Sequence, residues 1–321
     1  MMRKREPPDA GSAMPAATAP RGRSKWVSHG LSNRFVYGGI YYGTRCLPLP
    51  VLHGISLFFN SIAVTLMRET VAGIRENFRL ALGVPESEAR RLARILFFEY
   101  GRSVIDVWRL RSEIFLPKIS SFDADRTALA RVRRNGRGFL LVTGHVGNWE
   151  LGAVTLRGHG LTPAVVGQPE LDPAVEAMRL GLRTRLGVES IDIGASAATA
   201  FRVRAAVDAG RAVALLVDRA YLEDQVTVSY FGRPTPFLRS PALLARFCNC
   251  EVLPGFFLRS VDGSYFNVWG APIAADESLS PEDDARRIMG GVAADLERVV
   301  RAYPTQWFNF YGFWKDGSAS V

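Results

Sequence analysis

Residues 139–150, Phe-Leu-Leu-Val-Thr-Gly-His-Val-Gly-Asn-Trp-Glu, constrain the chain more than any other stretch. Phe139 to Val142 is a short apolar run that predicts a buried strand. Thr143-Gly144 breaks it, and a helical pattern begins near Asn148. A strand that turns through glycine into a helix is the repeating unit of an α/β sheet. His145 then stands at the strand's exit, where such sheets place their ligand sites. Glu150 falls in the first turn of the following helix, where the helix dipole favours a carboxylate. The spacing predicts that Glu150 fixes the tautomer of His145 and raises its basicity. Gly144 and Gly147 would let a ligand approach the backbone closely. A turn histidine can also be a simple capping residue. The scarcity of histidine, with four in the chain, and the paired carboxylate weigh toward chemistry. No Gly-x-Ser-x-Gly elbow supplies a nucleophile, so the hydroxyl that His145 would activate belongs to a substrate.

From residue 139 onward, strands and helices alternate. The pattern predicts strands at 139–143, 163–167, 189–193 and 212–217, and helices at 148–159, 172–186 and 196–209. A strand at 226–231, a proline-rich turn holding Pro234 and Pro236, and a helix at 241–249 follow. A hairpin around Asp262-Gly263 and a helix at 281–302 complete the series. Ahead of the sheet, 69–81 and 85–112 read as amphipathic helices. Pro85 and the acids after it start the second. The fold class is α/β: a central, mostly parallel sheet flanked by helices, with an N-terminal helical, membrane-associated region.

Residues 1–24 are rich in Pro, Ala, Gly and Arg and read as a disordered tail. They hold no apolar h-region and so no secretory signal. Residues 25–68 form the membrane-associated segment, and 69–321 the catalytic domain. Between Arg45 and Arg68 there is no formal charge, but Pro48, Pro50, His53, Gly54 and Asn60 interrupt the run. A membrane segment, spanning or interfacial, and a pair of buried core helices both fit. The apolar content, Tyr37, Tyr41, Tyr42 and the basic flanks favour the membrane.

The net charge is +9, which favours an anionic partner such as a membrane surface, a phosphorylated headgroup or an acidic carrier protein. Scattered arginines without a recognition motif give no support to a nucleic-acid role. Cys46, Cys248 and Cys250 form no disulfide framework, and Cys248-Asn-Cys250 is a poor metal signal. No metal site, P-loop or Gly-x-Gly-x-x-Gly turn is found.

Gly-His-Val-Gly-Asn-Trp-Glu (144–150) resembles the His-x4-Glu/Asp motif of the late acyltransferases of lipid A biosynthesis. These are the lauroyl and myristoyl transferases, related to the phosphatidylinositol mannoside acyltransferases and to the lysophospholipid acyltransferase superfamily. Further blocks are similar in order and spacing: Val217-Asp218-Arg219, Tyr230-Phe231-Gly232 with Pro234 and Pro236, Ser240 to Ala245, and Val252-Leu253-Pro254. Tyr303-Pro304-Thr305-Gln306-Trp307-Phe308 resembles the family's C-terminal signature, and residues 72–106 its helical segment ahead of the sheet. The resemblance covers about 35–315.

The resemblance implies transfer of a fatty acyl chain to a hydroxyl of a membrane glycolipid. The donor would be acyl carrier protein or acyl-CoA, without a cofactor. The place would be the cytoplasmic face of a bacterial inner membrane. His145 would be the general base and Glu150 its partner. The oxyanion would be met by backbone N–H groups near Gly144–Asn148 or by an arginine. Arg183 resembles a family arginine and would bind substrate. Asp218 and Arg219, at a strand's carboxyl end, would shape the site. The chain departs from the usual pattern at Asp218-Arg219-Ala220 and at Asn309 to Lys315, both expected near the acceptor. A thioester hydrolase and a non-catalytic lipid-binding protein are the competing functions.

Overall fold

The computed structural model describes residues 34–110, 117–120, 122–133, 136–193, 197–220 and 223–314. The expected tail, 1–24, lies outside them. The sheet is built from strands β1 (Phe139–Thr143), β2 (Pro163–Gly167), β3 (Glu189–Asp192), β4 (Ala212–Leu216), β7 (Val252–Arg259) and β8 (Tyr265–Trp269), while β5 (Val226–Tyr230) and β6 (Arg233–Phe237) form a separate hairpin. The order across the sheet is β3-β2-β4-β1-β7-β8. All neighbours run parallel except β8, which returns antiparallel along β7. β1 is buried at every residue, as a central parallel strand covered on both faces must be.

The register of β1 on β4 sets up everything at the strands' carboxyl ends. Thr143 lies opposite Leu216, and the Val217 N–H donates to the Thr143 carbonyl at 3.0 Å. The residues that follow each strand, Gly144-His145 and Asp218, therefore emerge side by side.

Helices α6 (Gly152–Gly158), α7 (Pro173–Arg185) and α8 (Ala197–Asp208) are the crossovers. The helix expected from residue 148 is entered through a 3₁₀ turn, Trp149–Leu151, so Glu150 sits ahead of the α-helix proper. After the sheet's first half come α9 (Ser240–Cys248) and the long α10 (Pro281–Ala302). The apolar face of α10, with Ile288, Met289, Val292, Leu296 and Val299, fills the core against the sheet and the β5–β6 hairpin. Pro234 and Pro236 are strand residues of β6, not a turn. A two-stranded hairpin has edges that tolerate residues lacking an N–H. The turn is Phe231-Gly232, both with positive φ. The strained phenylalanine is held by its N–H to Glu297 Oε2 at 2.6 Å.

Helices α1 (Arg34–Cys46), α2 (Leu49–Leu66), α3 (Arg68–Leu82), α4 (Glu86–Arg109) and α5 (Phe122–Val132) precede the sheet. Ile74 and Phe78 of α3 pack with Leu92, Leu96 and Phe97 of α4 and with Phe308 and Phe310 of the C-terminal segment. The stretch expected to be a membrane segment or two core helices is α1 and α2. Core burial is not what it shows. Leu52 and Ala63 are the buried residues of α2, whereas Phe58, Phe59 and Leu66 are 63%, 63% and 74% exposed. By length and composition α2 is apolar enough to cross a membrane, alone in this among the described residues.

Candidate active site

β1 ends at Thr143, and Gly144-His145 carries the chain out over its carboxyl end. The His145 ring meets Asp218, which follows β4. Nδ1 lies 2.6 Å from Oδ1, and the His145 backbone N–H donates to Oδ2 at 3.0 Å. Asn309 Nδ2 donates to the same Oδ2 at 3.3 Å. Asp218 and Asn309 are 2% and 1% exposed. Burial alone would raise the Asp218 pKa, but the facing His145, its hydrogen bonds and Arg219 bring it down to about 2. Asp218 is thus a fixed anion. Burial and the Arg219 charge hold the His145 pKa below its ordinary 6.5, with Asp218 partly opposing them. His145 is therefore neutral at pH 7. With Nδ1 facing a carboxylate, Nε2 is left as the basic nitrogen.

Glu150 does not hold that imidazole. Its carboxylate is engaged by Arg183 of α7, with Nη2 2.5 Å from Oε1 and Nε 3.3 Å from Oε2. The predicted His145–Glu150 pairing is corrected to His145–Asp218 and Glu150–Arg183. The physical reason is the 3₁₀ turn, which directs Glu150 toward α7, while the parallel register brings Asp218 to the ring. Arg183 is 6% exposed, so the fork-to-carboxylate pair neutralises a buried cation.

The loop after β1 is tied down on all sides. N–H groups of His145, Val146, Gly147 and Asn148 donate to Asp218 Oδ2 and to the carbonyls of Gly144, Gln306 and Phe257. Those four amides are thus engaged within the protein and not presented to an oxyanion. Gly147, at φ +65°, has the Phe257 carbonyl where a side chain would stand, and Gly144 has Leu296 and Asp218 there. At both glycines the space a side chain would fill is taken by protein neighbours. The Asn148 amide is likewise internal, donating to the Ser103 carbonyl at 3.1 Å and to the Tyr265 hydroxyl at 3.4 Å.

Arg219 is different. Its Nη2 donates to the Phe308 carbonyl at 3.4 Å and its guanidinium lies 5.4 Å from the centre of the Tyr311 ring. Its buried Nε has no partner among the described residues. Its charge helps hold the His145 pKa down, so a cation with free hydrogen-bonding capacity lies within electrostatic reach of the base. The Trp149 ring meets the His145 ring edge-to-face at 5.4 Å and forms another wall.

Matched over residues 24–316 is a family model described as bacterial lipid A biosynthesis acyltransferase. The chain belongs to this family. No curated protein matches it.

The protein is therefore an acyltransferase of the lipid A biosynthesis family, and the family's enzymes are membrane-associated. Within this acyltransferase, the histidine, a buried anion on its Nδ1, and a cation within electrostatic reach compose a site suited to proton abstraction. Among the described residues no cluster of histidine, cysteine and carboxylate could hold a metal. Asn309, in the segment expected near the acceptor, reaches the site by bonding Asp218, a role the sequence did not assign to it. Tyr100 of α4 packs its ring 5.3 Å from that of Phe308, whose N–H donates to the His145 carbonyl at 2.7 Å. Asn309 carried one signal: it is the polar residue within the aromatic run Trp307-Phe308-Asn309-Phe310.

Proposed function

We propose that the protein is an O-acyltransferase that moves a fatty acyl chain from an acyl thioester to a hydroxyl of a membrane glycolipid, resembling a lipid A precursor. The donor is acyl carrier protein or acyl-CoA, and the reaction takes place at the cytoplasmic face of a bacterial inner membrane. The observation that carries this reading is the His145–Asp218 pair at the carboxyl end of two central strands.

His145 Nε2 takes the proton of the acceptor hydroxyl as its oxygen attacks the thioester carbonyl. Asp218 stabilises the resulting imidazolium and holds the ring's orientation. The tetrahedral oxyanion needs a donor, and Arg219 is the cation within electrostatic reach of the base with an unpartnered N–H. Collapse breaks the C–S bond. His145 returns its proton to the departing thiolate, and the ester and free thiol leave. Glu150 and Arg183 neutralise each other next to the loop and take no part in the proton transfer. A net charge of +9 suits an acidic carrier protein or an anionic membrane surface.

The test is transfer from a labelled acyl-carrier thioester, and separately from acyl-CoA, into a membrane lipid extract, with wild type beside His145→Ala. A labelled lipid that disappears with the variant supports the reading, and mass spectrometry of that lipid names the acceptor. Free fatty acid without a lipid product would mean that His145 activates water. A lipid product indifferent to His145→Ala would overturn the assigned base.

A further inference from the structure

Helix α2 presents a surface of one character. Val51, Ile55, Phe58, Phe59, Ile62 and Leu66 project outward, each at least 39% exposed. The Asn60, Ser61 and Thr65 side chains of α2 bond within the helix, while His53, on its inner face, keeps a buried Nε2 without a partner among the described residues. Ser61 and Thr65 return their hydroxyls to the carbonyls of Leu57 and Ser61 at 2.8 and 3.0 Å, and the Asn60 amide donates to the Ser56 carbonyl at 2.8 Å. Side chains whose donors are satisfied four residues back lose little on leaving water. Exposed Arg45 and Arg68 stand just beyond the two ends. These features suit an apolar medium bordered by negative charge.

How α2 meets that medium follows from its inner face. Its midpoint, Ser56 and Asn60, lies directly on Gly101 of α4, so closely that a side chain at 101 would overlap both. On either side of Gly101 stand Glu99 and Arg102, paired at 2.9 Å, with Arg102 44% exposed. A turn earlier on α2, His53 lies in the field of Asp106, Arg102, Arg259 and Arg109. If α2 crossed a bilayer with this packing, the midplane would cut through those charges, where each is most costly. The helix is also about 27 Å long, just short of the ~30 Å hydrocarbon core.

We propose that α2 lies in the plane of an anionic lipid surface, its Phe58–Phe59 face sunk into the interface and Arg45 and Arg68 at headgroup level on the same side. The inference does not rest on the acyl-transfer reading. Its consequence for the site is nearness. Tyr100, adjacent to Gly101, reaches Phe308, which bonds His145. One helix layer then separates lipid from the base, and an amphiphilic acceptor would need no passage through water.

Two measurements on the full chain test it. In the first, Cys46, exposed at the N-terminal side of α2, is labelled in sealed membrane vesicles of known orientation with an impermeant maleimide. The same is done with Glu69→Cys in a Cys46→Ser background, and Cys46→Ser alone sets the baseline for Cys248 and Cys250. Both positions reacting from one side is the expected result. Reaction from opposite sides would overturn the proposal in favour of a crossing helix. In the second, purified protein is floated with phosphatidylglycerol-containing vesicles or with phosphatidylcholine alone. Phe58→Ser with Phe59→Ser should weaken binding at least about tenfold, since two exposed rings leave the interface. Arg45→Glu with Arg68→Glu should remove the preference for the anionic vesicles. These residues are at the surface, so circular dichroism should stay unchanged. Unaltered flotation by the phenylalanine variant would overturn the proposal. So would loss of a dimer instead of loss of lipid binding, which would assign the face to a second copy of the chain.

Discussion

The His145 imidazole and the Asp218 carboxylate, 73 residues apart in sequence, meet at 2.6 Å. Their meeting is a product of strand register. β1 and β4 are parallel neighbours whose last residues, Thr143 and Leu216, are paired. Whatever follows each strand by two residues must share one crevice. The same carboxylate takes the His145 backbone N–H, so ring and backbone are anchored to one anion. A base held at both points is oriented before substrate arrives, which is the condition for efficient proton transfer.

Asp218→Asn should therefore cost more activity than Glu150→Gln. An amide at 218 can present its NH₂ to Nδ1 and leave the ring in the wrong tautomer. A fall of ~10²–10⁴ in kcat/KM is expected for Asp218→Asn, and at least as much for His145→Ala. Steady-state kinetics on both variants, with folding confirmed by circular dichroism, decides the ranking. If Glu150→Gln proved the more damaging, Asp218 would not be the orienting anion.

The pH dependence has a defined sign. The base must be neutral, and burial with Arg219 holds the His145 pKa below 6.5. The acid limb of kcat/KM should lie below pH 6.5. Arg219→Gln removes a cation that disfavours imidazolium, so the limb should move to higher pH, alongside any loss of rate. Stability follows the same direction. The depressed His145 pKa contributes stability present above 6.5 and lost as pH falls below it. Asp218, lowered from 3.8 to about 2, adds stability present above 3.8 and lost between those values. Urea midpoints should fall on acidification. An acid limb that stays in place with Arg219→Gln would remove Arg219 from the site's electrostatics.

The sheet was readable because parallel strands buried on both faces leave unbroken apolar runs. Phe139–Thr143 and Pro163–Gly167 match their expected bounds, and Glu189–Asp192 and Ala212–Leu216 fall one residue short. The loop histidine at a strand exit was readable for the same reason. Its partner was not. A pairing between residues 145 and 218 depends on which strands become neighbours, and β4 comes to lie beside β1 only after three crossovers. Local spacing offered Glu150 instead, which the 3₁₀ turn at Trp149–Leu151 turns toward Arg183. The exposure of α2 was favoured by the sequence, through its apolar content, tyrosines and basic flanks, but not decided by it. An apolar helix has the same composition against protein or lipid, and burial alone distinguishes them.

The Glu150–Arg183 pair should behave as a structural pair next to the site. Arg183 is 6% exposed, so Glu150→Ala leaves a buried cation without its counter-ion. A loss approaching ~3 kcal/mol is expected, at the low end of measured values because Glu150 remains 19% exposed. Glu150→Ala with Arg183→Met should recover much of it. A double-mutant cycle by chemical denaturation measures the coupling, and additive losses would show that the two side chains are energetically independent.

The most distant control over the base runs through α3. Gly73 and Asn77 lie one helical turn apart and seat the C-terminal segment between them. A methyl group at 73 would stand 2.6 Å from the Gly312 nitrogen and 2.8 Å from the Tyr311 carbonyl carbon. The Asn77 amide donates to the Tyr311 carbonyl at 2.6 Å and accepts the Phe313 N–H at 2.7 Å, imitating a strand partner. The seated segment is the one that bonds His145 through Phe308 and Asp218 through Asn309. Gly73→Ala pushes against backbone that no rotamer change can relieve, so the segment must move. A destabilisation of about 1–3 kcal/mol is expected from the overpacking. Activity should fall beyond what the folded fraction explains, because Asn309 leaves Asp218. Gly54→Ala is the control: nothing lies within 4 Å of the added methyl, and stability and activity should be preserved. Asn309→Ala tests the last link alone. It should lower kcat/KM and shift the acid limb while leaving the Gly73–Gly312 contact intact. An Asn309→Ala enzyme with the wild-type pH profile would mean that the segment's hold on Asp218 is packing and nothing more.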